Sequence, residues 1–143
     1  MKFTKYIICT KMINQDNSEY VMCQKSIITE GTWEGNTELE EVEFGDNITQ
    51  IGAYAFENCT SLTTVTFHTS LKRIDPNAFA GCTALQKIVA PDTLEEVDCW
   101  LDGKRAVKLS LFNPSSEELI ENLKKGYPMD LYYKGVFRDD YWD

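Results

Sequence analysis

The sequence is poor in the side chains from which most catalytic and metal sites are built. Its 143 residues include one histidine, His68, and a lone histidine supplies neither a multi-histidine zinc site nor a two-histidine mechanism. No glycine-rich phosphate loop is present. Carboxylates are plentiful, so a carboxylate-based hydrolase stays open as a third class of function, although it would need two acids at a fixed separation in a cleft. We therefore predict a non-enzymatic protein with no catalytic residues, no cofactor and no metal site.

Basic residues and long apolar runs are also scarce. Lys and Arg number 14 against 23 Asp and Glu, which gives a net charge of −9 and an isoelectric point near 4.6. Such a chain is unsuited to nucleic-acid phosphates and to anionic membranes. No stretch approaches the roughly 20 apolar residues that span a bilayer, and the start, MKFTKYIICTKM, has too short an apolar run for a secretory signal. We expect a cytoplasmic protein without membrane insertion, or a secreted or cell-surface protein if a signal peptide has been removed.

The most informative feature that is present is a repeat of 23 residues. Units begin at Leu39, Leu62 and Leu85, and the same positions stay apolar in each unit. The matched positions are Val42/Val65/Ile88, Phe44/Phe67/Ala90, Ile48/Leu71/Leu94 and Ile51/Ile74/Val97, with Ala55-Phe56 matching Ala78-Phe79 and Cys59 matching Cys82. A period of roughly 20 to 29 residues is typical of leucine-rich solenoids, in which each unit buries its apolar side only against its neighbours.

The repeated motif, LxxVxF followed by IxxIGxYAFxxCxxL, resembles the BspA-like leucine-rich repeat family. The resemblance covers about Ile28 to Leu101, because a weaker unit stands 23 residues upstream of the first full one. The third full unit departs from the pattern after Val97, where Asp102 replaces the repeated Phe and no Cys follows, so we expect the stack to end there. The resemblance implies a protein-binding or surface-adhesion scaffold, and it supplies no catalytic residues.

The predicted fold is therefore an α+β solenoid, a short leucine-rich-repeat stack with a cap at each end, because an open stack exposes strand edges. Residues 1–25 are predicted to form an N-terminal β-hairpin cap, in which FTKYIICTKMI and EYVMCQKSII flank the turn-forming NQDNS. Residues 26–103 hold the leucine-rich repeats. Residues 104–143 form a C-terminal β-α-β cap with an acidic aromatic tail, and the three parts make one structural domain.

In the predicted C-terminal cap, the strand VKLSLF (107–112) and a last strand over 129–137 flank a helix. Ser115 and Glu118 have the spacing of a capping box at the start of that helix. The following tail carries Tyr141 and Trp142 between acids, and these two residues are either a frayed terminus or a peptide-like anchor for a partner.

Strand alternation in the LxxVxF motif directs two side chains of each unit inward and two outward. The outward residues of successive units are Glu41 and Glu43, Thr64 and Thr66, Lys87 and Val89, and, if VKLSLF adds a strand, Lys108 and Ser110. This sheet face would grade from acidic to neutral to basic. Such faces are the usual recognition surfaces of solenoids, so it is the first candidate for partner binding. The alternative is that these are ordinary solvated strand residues.

After each inner turn the chain should enter a helix-like or turn segment whose Ala-Phe pair packs into the core. Asp75 and Pro76 form a helix-entry pair, with Asp as N-cap and Pro at the first helical position. Tyr54 and Trp100 share the column of Asn77 and should face outward. They are candidate hydrophobic anchors for a partner, or else they cover a neighbouring unit.

The five cysteines are odd in number and show no CxxC spacing, which does not suit an extracellular disulfide framework. Cys59 and Cys82 would lie one unit apart, about 4.8 Å in a parallel stack. We interpret them as small buried thiols, with a disulfide or metal pair as the alternative.

Two non-enzymatic functions fit these patterns. The first is an adhesion or interaction scaffold whose sheet face and exposed aromatics hold a protein partner, while the acidity keeps the chain soluble. The second is a stand-alone intracellular inhibitor, from a phage or mobile element, whose carboxylates block the basic groove of a nucleic-acid-processing enzyme. Both predict a protein partner, a basic one in the second case, no direct nucleic-acid binding, and a monomer unless bound.

Overall fold

The computed structural model describes residues 5–8, 27–110 and 117–134, which form ten β-strands and one α-helix. In chain order these elements are β1 (Lys5–Ile8), β2 (Ile27–Ile28), β3 (Glu41–Phe44), β4 (Gln50–Ile51), β5 (Thr64–Thr66), β6 (Arg73–Ile74), β7 (Lys87–Val89), β8 (Leu94–Leu101), β9 (Lys104–Ser110), α1 (Glu117–Lys125) and β10 (Met129–Tyr133). The strands make one four-stranded sheet and one six-stranded sheet.

The four-stranded sheet has the order β1-β3-β5-β7, and all of its strands are parallel. Its register places Val42 opposite Val65 and Val65 opposite Ile88. Each of these steps is 23 residues, so the repeat read from the sequence is confirmed as the step of the sheet. All three side chains are buried, as strand alternation predicts for the inward positions.

We call one unit of this stack a rung, which consists of a strand in the four-stranded sheet, a two-residue strand in the six-stranded sheet and an outer turn. The two-residue strands β2, β4 and β6 also pair in parallel, with Ile28 opposite Ile51 and Ile51 opposite Ile74. The core lies between the two sheets and the outer turns. It contains the repeated apolar positions, because each rung contributes the same inward set.

An aromatic column runs through this core. Phe56 stacks on Trp33 of the preceding rung at 6.5 Å between ring centroids and on Phe79 of the next rung at 5.2 Å, with interplanar angles of 5° and 4°. Phe44 meets the edge of Phe56 at 5.6 Å. Such ring pairs add to the stability from burial alone, so the column ties three successive rungs together.

The outer turns are joined from rung to rung by backbone hydrogen bonds. The amide of Phe56 donates to the carbonyl of Ala78 at 2.7 Å, and the amide of Asn58 donates to that of Ala80 at 2.8 Å. Turn segments with no helix or sheet of their own thereby satisfy their polar backbone through the neighbouring rung.

The predicted helix entry at Asp75 and Pro76 is wrong. Residues 76–81 form turns, and Asn77 has a φ of 63°, a left-handed conformation that ends any right-handed helix. Tyr54 occupies the same place one rung earlier with a φ of 61°. Asp75 does not cap a helix; its carboxylate accepts a hydrogen bond from Nε2 of Gln50 at 2.9 Å.

The first rung differs from the repeats. Tyr6 of β1 lies opposite Val42, an offset of 36 residues, compared with 23 in the repeats. The connection between the two strands of this rung is therefore longer than elsewhere. The described ends of the predicted N-terminal hairpin, β1 and β2, lie in different sheets, and the rest of that hairpin, with its NQDNS turn, lies outside the described residues.

The six-stranded sheet departs from the repeat at its C-terminal side. The sequence pattern places Val97 beside Ile74, but β10 lies between β6 and β8 and is antiparallel to both, in the order β2-β4-β6-β10-β8-β9. Ile74 lies opposite Met129, and Met129 lies opposite Cys99. Strand β8 therefore keeps the direction of β6 but is displaced from it by one strand.

Strands β8 and β9 form an antiparallel hairpin around Asp102 and Gly103. These two residues have φ of 55° and 75°, as a two-residue type I′ turn requires. The predicted VKLSLF strand is found in part in β9, but it belongs to the six-stranded sheet, where Lys108 lies opposite Asp98. The prediction that Lys108 continues the outward face of the four-stranded sheet is wrong.

Helix α1 forms where the sequence predicts a helix, with Leu119, Ile120 and Leu123 buried. Its proposed capping residue Ser115 lies outside the described residues. Strand β10 follows at Met129–Tyr133, and the predicted extension of this strand through 135–137 also lies outside them.

The end of α1 takes the place of a further outer turn. The amides of Asn77 and Gly81, which would meet another rung, donate to the carbonyls of Gly126 at 2.9 Å and Lys124 at 3.2 Å. The last carbonyls of a helix have no intrahelical partner, so these bonds satisfy the amides of the outer turn and the carbonyls at the helix end together. The chain then continues into β10, which is antiparallel to β6. We call helix α1 and strand β10 the α1–β10 unit, which takes the position of a further rung with the opposite strand direction.

Candidate protein-binding surface

The outward side of the four-stranded sheet carries six residues predicted as partner-binding. Glu41, Lys87 and Val89 are exposed, and Glu43, Thr64 and Thr66 are partly exposed. Their inward neighbours along the same strands are buried, which agrees with the outward position that strand alternation predicted for the six residues. We call these six residues the strand face.

The register arranges the strand face in two rows that cross the sheet. One row runs Glu41, Thr64, Lys87, and the other runs Glu43, Thr66, Val89. Neighbouring strands lie about 4.8 Å apart, so the ends of a row are roughly 10 Å from one another. The gradient from acidic through neutral to basic is confirmed for the first row, whereas the second ends on an apolar residue.

The same parallel register continues into the first rung. Lys5 of β1 lies opposite Glu41, and Ile7 lies opposite Glu43. Strand β1 therefore precedes β3 in the sheet, with Lys5 at the register position before Glu41. This neighbour was missed in the sequence because the longer connection of the first rung breaks the 23-residue period that assigned the others.

His68 contacts the strand face. Its Nε2 lies 3.3 Å from Oε2 of Glu43, and the two side chains are 38% and 29% exposed. The carbonyl of His68 accepts a hydrogen bond from the hydroxyl of Tyr133 at 3.2 Å, and burial raises the pKa of that hydroxyl. We did not predict this contact from the sequence, although His68 lies one repeat after Gly45, which is two residues from Glu43.

Acidic residues are concentrated in the rungs that contain β3 and β5. Residues 26–71 contain eight Asp and Glu and no Lys or Arg, whereas the rest of the chain carries 15 acidic and 14 basic residues. Nearly all of the net charge thus lies in the rungs at the acidic end of the strand face. Close approach of two carboxyl groups is seen at Glu57, whose pKa is raised by loss of hydration and by the neighbouring Glu34.

The predicted aromatic anchors have different outcomes. Tyr54 lies in an outer turn and is 37% exposed, as its column predicts. Trp100 lies in β8, not in an outer turn, and the guanidinium of Arg105 covers its ring at 5.7 Å from the centroid. The prediction that Trp100 shares the outward turn position of Tyr54 is therefore wrong. Tyr141 and Trp142 lie outside the described residues.

The repeated cysteines are free, buried thiols within the stack. Sγ of Cys59 donates to the carbonyl of Trp33 at 3.2 Å, and Sγ of Cys82 donates to that of Phe56 at 3.1 Å, one rung earlier in each case. Burial raises the pKa of Cys59 to about 11 and that of Cys82 to about 12. Thiols held protonated in this way are poor nucleophiles and poor metal ligands.

Within the described part of the chain, no group of three or more His, Cys, Asp or Glu is placed to hold a metal ion. No helix of that part could span a bilayer. What the strand face offers chemically is a set of charged, hydroxyl and apolar side chains at fixed spacing, which suits the recognition of another surface.

A comparison with known protein families agrees with this repeat architecture. A family model described as the BspA type leucine rich repeat region matches residues 10–100 in six copies. The match begins upstream of Ile28, the residue at which the resemblance predicted from the sequence begins. No curated protein matches the chain.

A solved structure, that of a leucine rich cell surface protein from Faecalibacterium prausnitzii A2-165, is 27% identical to this chain and has a TM-score of 0.41. The matched region covers 61% of this chain and 24% of that one. The matched part of this chain thus spans about a quarter of the length of that protein.

Proposed function

Because this chain belongs to the BspA-type leucine-rich repeat family, we propose that it is a non-enzymatic module that binds a protein partner through the strand face. The observation that carries the proposal is the exposure of Glu41, Lys87 and Val89 on strands whose register is fixed by the repeat. A backbone whose register is already fixed loses little conformational freedom on binding, which favours recognition of another folded surface.

The order of charges on the strand face defines the chemistry of the partner. Glu41 and Glu43 on β3 call for Lys or Arg on the partner, while Lys87, two strands away, calls for a carboxylate or a carbonyl. Val89 offers an apolar contact beside Lys87. The acidic surroundings of β3 would attract the basic part of the partner from a distance and speed its association.

Tyr54 is a second proposed contact, at the exposed side of an outer turn next to the acidic rungs. Tyr141 and Trp142 stay predictions as partner contacts. The cellular location also stays a prediction, and adhesion at a cell surface and interaction inside the cell use the same strand face. The inhibitor hypothesis finds no support in the family match.

The experiment uses the chain as bait in extracts of the cells that make it. We expect the captured partner to be lost when Glu41→Lys and Glu43→Lys are combined, because both contacts of β3 are reversed. The matched control combines Glu95→Lys and Glu117→Lys, which changes the net charge equally at exposed residues of β8 and α1. This control should retain the partner at physiological salt.

Equal loss with both double variants would mean that net charge alone governs capture, and retention with both would remove the strand face from the interaction. In either case the proposal fails. Circular dichroism should confirm that both variants fold, since exposed substitutions usually change stability by less than about 0.5 kcal/mol.

A further inference from the structure

Strand β8 carries the repeat pattern but does not occupy the repeat position. Leu94 and Val97 fill the columns of Leu71 and Ile74, and both are buried. At the 23-residue offset that relates the other rungs, Val97 would lie opposite Ile74. In the structure, Ile74 lies opposite Met129 of β10 instead.

The pairing that the structure does not use has matching chemistry. At the repeat offset Glu96 would lie opposite Arg73, and in the observed pairing Asp130 takes that place, with 3.5 Å between its Oδ1 and Nε of Arg73. Arg73 thus meets a carboxylate, and Ile74 an apolar side chain, with either partner strand. The two pairings compete for the same edge of β6.

Strand β8 already runs in the direction that pairing with β6 at the repeat offset requires. Strands β6 and β8 are both antiparallel to β10, so they run in the same direction. Met129 of β10 lies opposite Ile74 on one side and opposite Cys99 on the other. The repeat pattern instead places Val97 opposite Ile74, so the exchange requires β8 to shift by two residues. A shift by two residues keeps every side chain on its own face of the sheet.

The contact between β6 and the α1–β10 unit is narrow, whereas β10 pairs with β8 along all five of its residues. The contact with β6 consists of the short pairing of Met129 and Asp130 with β6, a hydrogen bond from the amide of Leu131 to the carbonyl of Lys72 at 3.0 Å, and the two bonds from the last outer turn to the end of α1. Release of the unit therefore breaks few bonds at β6 but the whole β8–β10 pairing, which makes it a local opening that is larger than fraying and smaller than global unfolding.

We propose that β6 is an exchangeable docking strand: the α1–β10 unit can leave both β6 and β8, and the freed edge of β8 then pairs with β6 at the repeat offset to complete a fourth rung. Opening would uncover the apolar residues of α1, Leu119, Ile120 and Leu123. The chain thereby holds a switch between a closed end and an end that resembles the repeats.

Disulfide trapping distinguishes the two pairings. In a Cys9→Ser, Cys23→Ser background, Arg73→Cys with Asp130→Cys reports the observed pairing, and Arg73→Cys with Glu96→Cys reports the proposed one. In the closed chain, residues 73 and 96 lie two strands apart, at least about 10 Å, beyond the roughly 7 Å limit for a disulfide between Cα atoms. Crosslinks are identified by mass spectrometry of the peptides.

The control pair is Arg73→Cys with Glu95→Cys, which has nearly the same sequence separation and therefore nearly the same chance of meeting in an unfolded chain. We expect the 73–96 crosslink to form at least about tenfold faster than the 73–95 crosslink. It should accelerate by a further tenfold or so when Leu131→Asp places a charge at a buried position of β10.

A second measurement covers the case in which Leu131→Asp does not fold. In urea concentrations below the global transition followed by circular dichroism, the 73–96 crosslink should accelerate while the 73–95 crosslink does not. The proposal is wrong if the 73–96 crosslink never forms faster than the 73–95 crosslink. It is also wrong if the two crosslinks accelerate only together, at global unfolding.

Discussion

The two sheets show how one repeat sequence can be continued on one side and closed on the other. In the four-stranded sheet β7 stacks directly on β5 at the repeat offset. In the six-stranded sheet the strand of the same rung, β8, does not pair with β6, because β10 lies between them. Repeat columns alone therefore do not fix the end of a stack. An antiparallel strand that supplies equivalent side chains can replace the next rung.

Strand length follows the same division. The strands of the first three rungs contain two to four residues, whereas β8, β9 and β10 contain eight, seven and five. The short strands depend on packing between rungs, since two backbone bonds contribute little by themselves. The long antiparallel strands hold together through their own pairing. We therefore expect core truncations to be most damaging in the rungs.

The largest effect should come from Phe56→Ala in the aromatic column. This residue is fully buried and contacts rings on both neighbouring rungs, so its loss removes contacts of three rungs at once. We expect destabilisation of about 3–5 kcal/mol, a large part of the total for a domain of this size. Urea unfolding measures it. Thr60→Ala, at an exposed turn residue, is the control, and a loss below 1 kcal/mol for Phe56→Ala would contradict the rung model.

A smaller effect, about 2–4 kcal/mol, is expected for Leu131→Ala in β10, where the side chain is 3% exposed. The distinguishing measurement is amide hydrogen exchange. Because Asn77 and Gly81 donate to the end of α1, their amides should exchange faster in this variant, while the amide of Phe56 stays protected by the next rung. Uniform acceleration at all three would show that the outer turns of the rungs open together with the α1–β10 unit.

Gly126 offers a sharper test of the contact between the last outer turn and α1. It has a φ of 91°, and a Cβ would collide with Oδ1 of Asn77. We expect Gly126→Ala to cost about 1–3 kcal/mol from backbone strain and the clash together. The matched control is Gly103→Ala, where φ is 75° and nothing lies within 4 Å of the added atom. Urea unfolding measures both variants. An equal loss of stability at both positions would mean that backbone strain accounts for the whole effect and that the contact with Asn77 adds nothing.

Alkaline pH should destabilise the chain through its buried thiols. Burial raises the pKa of Cys99 to about 12 from an ordinary value of 9.0, as it does for Cys82, so the folded state favours the protonated thiol. Below pH 9 this preference is fully present. As pH rises from 9 toward 12 the unfolded chain loses its protons first, and stability falls by up to about 1.4 kcal/mol per pH unit for each thiol.

The comparison of Cys99→Ala with the parent chain checks this expectation in urea titrations between pH 8 and 10.5. The variant lacks one thiol of the six-stranded sheet but keeps those of the repeat column, so its decline with pH should be shallower. Parallel declines would assign the alkaline loss to other groups.

How far the sequence predicts this structure depends on the range of the interaction. The period predicts the inward residues Val42, Val65 and Ile88 and the outward strand face, because identical neighbours repeat the same local environment. The Asp102-Gly103 turn was also readable, since Asp-Gly favours a two-residue hairpin, but it was interpreted only as a missing Phe. The insertion of β10 was not readable: Val97 fits the repeat column, and the choice between it and Met129 is decided by tertiary packing.

The smallest effect should come from the contact between His68 and Glu43 at the strand face. Both side chains are partly exposed, and their 3.3 Å contact links neighbouring rungs. A double-mutant cycle with His68→Asn and Glu43→Gln should give a coupling energy of about 0.2–1 kcal/mol, reduced in 1 M salt. A coupling above 2 kcal/mol that persists in salt would mean that this contact, rather than the buried columns, holds β3 and β5 in register. The strand face would then be a structural element as well as a proposed binding surface, and charge reversal at Glu43 would have to be interpreted as a change in the stack.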